Sequence, residues 1–187
     1  MATLLATFAL GAALGGRRVG LLAAAVLAAT PRVWLFARQL PGDVWMTTCL
    51  VAGFAAAVPT LRGARDGRRR LLLGHACVAV GVLAKGPVIL GLYAVPLLAA
   101  ARLGRPRVPV AALRPLALAG LVVALAGPWF AYMAWRYGVP YVRDFFGWHH
   151  VRRAVSDDVG ARPPWYLLQA ILGDGQPWVL LAPFALR

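Results

Sequence analysis

Lys85 is the residue whose setting most clearly suggests chemistry. It is the single lysine in a chain that otherwise carries nineteen arginines. It follows an apolar run and precedes Gly86-Pro87, and such a pair ends a helix because proline lacks the amide donor and glycine weakens helical backbone. An ammonium group near membrane depth is costly and usually has an anionic partner. We interpret Lys85 as a candidate phosphate-binding cation, the alternative being a lysine that snorkels to the membrane surface.

A second candidate element joins two apolar segments and contains Arg38 and Asp43. The carboxylate of Asp43 could stand beside a cavity and orient a polar substrate. Two other interpretations remain open: Asp43 could pair with Arg38, or it could cap the helix that follows, where a negative charge is favourable.

A third element, residues 136–163, interleaves aromatic and basic residues. Tyr141, Phe145 and Trp148 recur at the spacing of one face of a helix, and that face could simply anchor the helix at the membrane surface. His149 and Arg153 are four residues apart, so both would project from one side. A titratable ring beside a permanent cation suits an anionic ligand.

Apolar segments separate these elements and must position them. A membrane-spanning helix needs about 20 apolar residues, and two of the segments are shorter than that. We therefore predict an all-α protein, a polytopic membrane helix bundle with about seven transmembrane segments in a single domain, 1–187. The segments are 2–15, 19–36, 43–61, 71–84, 86–103, 111–135 and 164–186.

The composition excludes a soluble protein. Hydrophobic residues form 61% of the 187 residues, above the roughly 45–50% of soluble domains. A net charge of +14 would suggest nucleic acid in a soluble protein. Here the arginines cluster in short loops between apolar runs, as in membrane proteins, so we expect membrane lipid and no nucleic acid as partner. Cys49 and Cys77 lie inside apolar runs and form no disulfide framework or zinc motif.

The loop charges predict an orientation. Twelve basic residues fall in one set of loops, chiefly 62–70 and 102–114, and eight in the other set. Because basic loops stay in the cytoplasm, the second set should face outward. Asp43, Lys85, His149 and Arg153 all belong to that set, so we expect them to line one outward-opening cavity.

Short motifs follow one another in a fixed order along residues 15–183, and together they resemble the ArnT-like, dolichyl-phosphate-mannose-protein-mannosyltransferase-like glycosyltransferases, which are polytopic enzymes of the GT-C fold. The strongest is the G-x-x-x-K-G-P element that contains Lys85. The motifs are Arg17-Arg18-Val19-Gly20-Leu21-Leu22-Ala23-Ala24, Ala37-Arg38 with Asp43, Gly81-Val82-Leu83-Ala84-Lys85-Gly86-Pro87, Pro128-Trp129, Arg136-Tyr137-Gly138, Phe145-Phe146 with His149 and Arg153, Pro164-Trp165-Tyr166, and Pro177-Trp178.

The resemblance implies a function. Such enzymes move a sugar from a polyprenyl-phosphate carrier to a lipid or protein acceptor on the outer side of the cell (inner) membrane, where they are multi-pass proteins. By resemblance, Lys85, Arg153 and Arg38 would bind the carrier's phosphate, and Asp43 would be the catalytic carboxylate facing the sugar or acceptor. His149 matches a position that binds a divalent metal ion in some relatives, so a metal cofactor is implied there.

The chain also departs from the family pattern. It contains no glutamate, and the family's principal catalytic carboxylate lies in a first outside loop that it does not contain. His150 replaces the family's asparagine, and Gly160-Ala161-Arg162-Pro163-Pro164 departs from a G-H-x-G-P element. We expect the chain to lack an upstream helix with that loop and any C-terminal soluble domain. The alternatives are a secondary transporter, whose sites also use broken helices, and an inactive glycosyltransferase fragment.

Overall fold

The computed structural model describes residues 1–39, 42–64, 66–104, 106–152, 163, 165–181 and 183, with the backbone alone at 149–152. All secondary structure in these ranges is helical, which confirms the all-α prediction. The chain forms two compact units. The first contains residues 1–29 and 33–128, and the second contains residues 30–32 and 129–187.

The helices of the first unit follow the apolar segments. In chain order they are α1 (Ala2–Gly15), α2 (Arg17–Ala28), α3 (Pro31–Gln39, which begins in the second unit), α4 (Gly42–Leu61), α5 (Gly67–Lys85), α6 (Val88–Leu103), a 3₁₀ turn (Val110–Leu113) and α7 (Pro115–Leu125).

The second unit contains most of α8 (Gly127–Val142), a π-helical stretch (Arg143–Arg152), α9 (Tyr166–Asp174) and a 3₁₀ turn (Trp178–Leu181). Gly138 interrupts α8 with a left-handed φ of 65°. Phe130 of α8 packs its ring against those of Phe145 and Phe146, at centroid distances of 5.4 and 5.8 Å. These aromatic contacts tie the π-helical stretch to α8.

The hairpin of α4 and α5 is the centre of the first unit. The two helices approach closely at Gly53 and Gly74: a Cβ atom added to Gly74 would stand 2.9 Å from the Gly53 carbonyl oxygen. Small residues allow such backbone contact between membrane helices. Tyr93 and Ile89 of α6 are fully buried against this hairpin. The core therefore fixes where the ends of α4 and α5 lie.

A buried polar group lies at the middle of α5. His75 is 1% exposed, and its Nε2 atom lies 2.9 Å from the Leu113 carbonyl oxygen. Because a carbonyl only accepts, Nε2 carries the proton, and Nδ1 accepts from the Tyr93 hydroxyl at 3.3 Å. His75 is therefore a hydrogen-bonded core residue. It anchors the 3₁₀ turn to α5.

The outward faces of the helices are apolar. Leu73, Val95, Leu116 and Val123 are 67%, 68%, 86% and 70% exposed. Many other large apolar side chains on the described helices are also exposed, and lipid solvates such side chains well. Of the described helices, α4 is long and apolar enough to cross a membrane, and the number rises to three if each of two bent helix pairs forms one span.

Several predicted segments have different bounds in the structure. Segment 19–36 divides at Thr30 into α2 and α3, bent by 69°, because Pro31 cannot continue the helix. Segment 111–135 divides at Ala126, ahead of Gly127-Pro128. The fourth segment was predicted too short: α5 has 19 residues because Gly67–Arg70 form its first turn. At about 1.5 Å per residue α5 is about 28 Å long, so segment 71–84, one of the two segments shorter than a membrane span, belongs to a longer helix.

Candidate functional site

The site is built at the end of the α4–α5 hairpin where α4 begins and α5 ends. Asp43 lies in the first turn of α4, and Lys85 is the last residue of α5. Because the helices run in opposite directions, residues 42 positions apart in sequence meet at one end. Each charge also suits its helix terminus, since acids are favoured at the N-terminus and bases at the C-terminus.

Lys85 and Asp43 form an ion pair, in which Nζ of Lys85 donates a hydrogen bond to Oδ1 of Asp43. The side chains are 47% and 46% exposed. Each group is therefore accessible to a ligand from solvent. Both residues were predicted as site residues on one face, and the structure brings them into direct contact.

Two glycines make this approach possible. A Cβ atom on Gly42 would stand 2.6 Å from the carbonyl oxygen of Ala84, so the start of α4 touches the end of α5 backbone to backbone. Gly86 then ends α5 with a φ of 80°, a conformation that glycine adopts without strain. The Gly86 amide donates to the Val82 carbonyl at 2.7 Å. The predicted helix end at Lys85-Gly86-Pro87 is thus confirmed.

Arg38 makes no ion pair with Asp43 in the part of the chain that the structure describes. It is an exposed residue in the last turn of α3. In the described part of the chain, the ion pair of Asp43 is with Lys85. The interpretation in which Asp43 pairs with Arg38 was therefore wrong, because the close contact of Gly42 with Ala84 places Asp43 beside α5.

The third predicted element is described in part. Tyr141 stacks on Phe145 with ring centroids 5.6 Å apart, which confirms their predicted side-by-side placement. The stretch from Arg143 onward is π-helical, with one residue more per hydrogen-bonded ring than an α-helix, so the spacing argument for a single α-helical face does not hold over its length. Such stretches occur often at functional sites. The His149 side chain and Arg153 lie outside the described residues.

No group of three or more His, Cys, Asp and Glu side chains suited to a metal ion occurs among the described residues. The implied metal at His149 stays a prediction, and we derive no chemical step through it.

Sequence reasoning missed two contacts. Arg62 at the end of α4 donates to the carbonyl oxygens of Ala13 and Leu14, the latter at 2.6 Å, and so caps the end of α1. In the second unit, Arg32 pairs with Asp174 at 3.5 Å. The basic residue of each contact was visible in the sequence, but nothing there indicated its partner.

The chain is similar to curated arabinosyl transferases. It is 29% identical over 175 residues to the undecaprenyl phosphate-α-4-amino-4-deoxy-L-arabinose arabinosyl transferase of Pectobacterium carotovorum, and 30% identical over 176 residues to that of Pectobacterium atrosepticum. Each alignment covers 91% of this chain and 31% of the relative. A third transferase of this name, from Pseudomonas fluorescens, is 49% identical over 45 residues.

No family model and no solved structure matches the chain. The chain spans about a third of the length of the two Pectobacterium relatives that it matches along most of its own length. Its helical fold, and its order of motifs across residues 15–183, agree with that relationship. The chain is a distant homologue of the ArnT-like arabinosyl transferases of the GT-C glycosyltransferases.

Proposed function

We propose that the chain forms part of the membrane domain of a glycosyltransferase that moves a sugar from a polyprenyl phosphate to a lipid acceptor, with a protein acceptor as the alternative. The observation that carries this proposal is the contact of Asp43 with Lys85 at one end of the α4–α5 hairpin. This contact supports the proposal because a carboxylate and an ammonium group that lie together can serve one ligand, the first as a base and the second as a phosphate-binding cation. The homology to arabinosyl transferases favours this function over a transporter.

The proposed reaction needs one nucleophile and one leaving group. An acceptor oxygen attacks the anomeric carbon of the sugar and forms the new glycosidic bond. The bond between that carbon and the phosphate oxygen breaks, and its electron pair leaves with the polyprenyl phosphate. Lys85 stabilises the charge on the departing phosphate, and Asp43 orients the acceptor hydroxyl and takes its proton.

The ion pair would have to open when the carrier binds. Exposed ion pairs contribute about 0–1 kcal/mol, and both side chains here are about half exposed. A hydrogen bond to a charged phosphate contributes about 1.5–3 kcal/mol. Phosphate can therefore replace the Asp43 carboxylate on Lys85, and this exchange would release Asp43 toward the acceptor.

Three other residues join the proposal by resemblance. Arg38 and Arg153 would add positive charge around the carrier's phosphate, and His149 would hold a divalent ion if one is required. Undecaprenyl phosphate is the carrier named in the relatives, and we adopt it as the carrier for this chain.

We further propose that the protein is a multi-pass protein of the cell (inner) membrane with about seven crossings. The shorter apolar helices α1 and α6 would supply two of them. The arginine distribution places loops 62–70 and 102–114 inside and 136–163 outside. Single-cysteine labelling in whole cells tests this orientation, and external labelling of 102–114 would overturn it.

The direct test is binding of undecaprenyl phosphate to the purified protein in detergent. Lys85→Ala should weaken binding roughly 10- to 150-fold, the equivalent of one hydrogen bond to a charged group. Lys85→Arg should restore part of the affinity, since it keeps the charge but presents its donors in a planar fork.

Arg143→Ala is the matched control, because it also removes one cation from an exposed ion pair, that of Arg143 with Asp144. We expect its affinity to equal that of the wild type. Equal melting temperatures would establish that all variants fold. If folded Lys85→Ala binds the carrier as the wild type does, Lys85 is a structural or snorkelling residue and the proposed function loses its support.

A further inference from the structure

A pocket lies at the other end of the first unit, where α6 ends. It has a volume of about 460 Å³ and is lined by Ala101, Arg102, Arg107, Val108, Pro109 and Val110. Since α6 runs from Val88, next to the end of α5, to Leu103, the pocket is separated from Asp43 and Lys85 by the length of that helix.

The chain holds this pocket in a defined shape. Val108 donates its amide proton to the Ala101 carbonyl oxygen at 2.9 Å, which closes the loop back onto α6. Ala101 is fully buried, and Leu113 is 3% exposed. The Leu113 carbonyl accepts the hydrogen bond from His75, so the 3₁₀ turn behind the pocket is tied to α5. The backbone around the pocket is therefore held by hydrogen bonds, while the side chains of Arg102 and Arg107 are exposed at the surface.

The positive charge of the pocket has no carboxylate partner among the described residues. The sequence contains no acid between Asp66 and Asp144. Every described aspartate is ion-paired to a cation outside the pocket. The pairs are Asp43 with Lys85, Asp66 with Arg70, Asp144 with Arg143, and Asp174 with Arg32. An anion from outside the chain is thus the natural partner for Arg102 and Arg107.

The apolar part of the lining indicates what kind of anion. Val108, Pro109 and Val110 line the pocket together with Arg102 and Arg107, and we refer to these three residues as its apolar wall. Free phosphate would use only the charged part, whereas a phospholipid would also place its glycerol and first methylenes against the wall. Guanidinium groups bind phosphate oxygens with two parallel hydrogen bonds, and basic pockets beside membrane helices bind lipid headgroups in this way.

We propose that this pocket binds the headgroup of an anionic phospholipid, with its phosphate between Arg102 and Arg107. The site is independent of the proposed transferase site. Its ligand is a lipid of the bulk membrane rather than the sugar carrier.

The test is binding of short-chain phosphatidylglycerol to the purified protein in neutral detergent at fixed ionic strength. Arg102→Gln/Arg107→Gln should weaken binding at least about tenfold. The control Arg68→Gln/Arg69→Gln removes the same charge from exposed positions at the start of α5, and it should change binding by less than about twofold. Equal losses in the two double variants would overturn the site, because only the overall charge would then matter.

Four further measurements complete the test. Short-chain phosphatidylcholine should bind the wild type more weakly than phosphatidylglycerol, and excess inorganic phosphate should not displace the lipid; displacement would show a free-anion site and overturn the lipid proposal. Lys85→Ala should leave phosphatidylglycerol binding unchanged, since a loss there would place the lipid at the other site. Arg102→Lys/Arg107→Lys should keep much of the affinity, and melting temperatures confirm that each variant folds.

Discussion

The two ends of the α4–α5 hairpin use positive charge in opposite ways. At one end, Lys85 pairs with Asp43, and both side chains remain about half exposed. At the other end, arginines occupy the starts and ends of several helices, and two of them have structural partners. Arg62 caps α1, and Arg70 pairs with Asp66 four residues earlier on the chain.

The difference shows why charge alone does not identify a site. At the arginine-rich end, membrane topology already explains the presence of Arg17, Arg18, Arg62 and Arg68–Arg70. Arg102 and Arg107 at that end differ from these residues because they line a pocket together with apolar residues. Lys85 has no such explanation, because it lies at the end with few cations and beside one of only six acids. A lone cation that contacts a carboxylate at a helix break is the stronger functional signal.

The largest expected effect on stability comes from a substitution at the close contact between α4 and α5, which fixes the positions of both ends of the hairpin. Gly74→Leu inserts a side chain where the Gly53 carbonyl stands 2.9 Å from a Cβ position. Since backbone cannot easily yield, we expect a loss of stability of about 1–3 kcal/mol or more, with loss of carrier binding as well. Gly91→Leu is the control, because nothing lies within 4 Å of a Cβ atom there. Thermal melting in detergent measures both, and equal melting temperatures would contradict the close packing of α4 on α5.

Arg62→Ala should affect stability without affecting the ligand. It removes the donors to the carbonyl oxygens of Ala13 and Leu14, and for an exposed arginine we expect the low end of the range for charged hydrogen bonds, about 1.5 kcal/mol. The stability of Arg62→Lys should lie between that of the wild type and that of Arg62→Ala. The single ammonium group of lysine cannot donate to both carbonyl oxygens at once as the planar guanidinium group does. Undecaprenyl phosphate affinity should not change in either variant. A large loss of affinity would show that the arginine-rich end takes part in carrier binding.

Arg70→Ala should give the smallest effect. Its ion pair with Asp66 has a distance of 2.7 Å, but the two side chains are 57% and 53% exposed. Pairs of this kind on a helix surface contribute about 0.3–0.5 kcal/mol and weaken with salt. Unfolding at low and high ionic strength should show a difference from the wild type only at low salt. A salt-independent loss above about 1 kcal/mol would mean that Arg70 has a structural role like that of Arg62.

Much of the fold follows from the apolar segments. The hydrophobic runs predicted α1, α4 and α6 closely, and Gly86-Pro87 predicted where α5 ends. The beginning of α5 was missed because Arg68–Arg70 look like loop residues, although arginine is a good helix former. The helix breaks at Thr30 and Ala126 lie one and two residues before a proline. No break was predicted there, because prolines are common inside membrane helices.

The candidate site was predictable only to the level of a shared face. The loop arrangement placed Asp43 and Lys85 on one side of the membrane, but their contact depends on the tertiary packing of Gly42 on Ala84. The close approach of Gly42 to Ala84 depends in turn on the packing of α4 against α5 at Gly53 and Gly74. No local sequence pattern predicts that packing. The expected cavity shared with His149 and Arg153 stays a prediction.

The measurement that tests the central proposal most directly compares Asp43→Asn with Lys85→Ala in undecaprenyl phosphate binding. If phosphate and the Asp43 carboxylate compete for Lys85, Asp43→Asn removes the competitor and should tighten binding by up to about fivefold, the equivalent of an exposed ion pair. Lys85→Ala should weaken it by about tenfold or more. The expected result is therefore that the two folded variants change the affinity for undecaprenyl phosphate in opposite directions. If both variants lower the melting temperature and neither changes the affinity, the ion pair of Asp43 with Lys85 only stabilises the fold, and the proposed site is wrong.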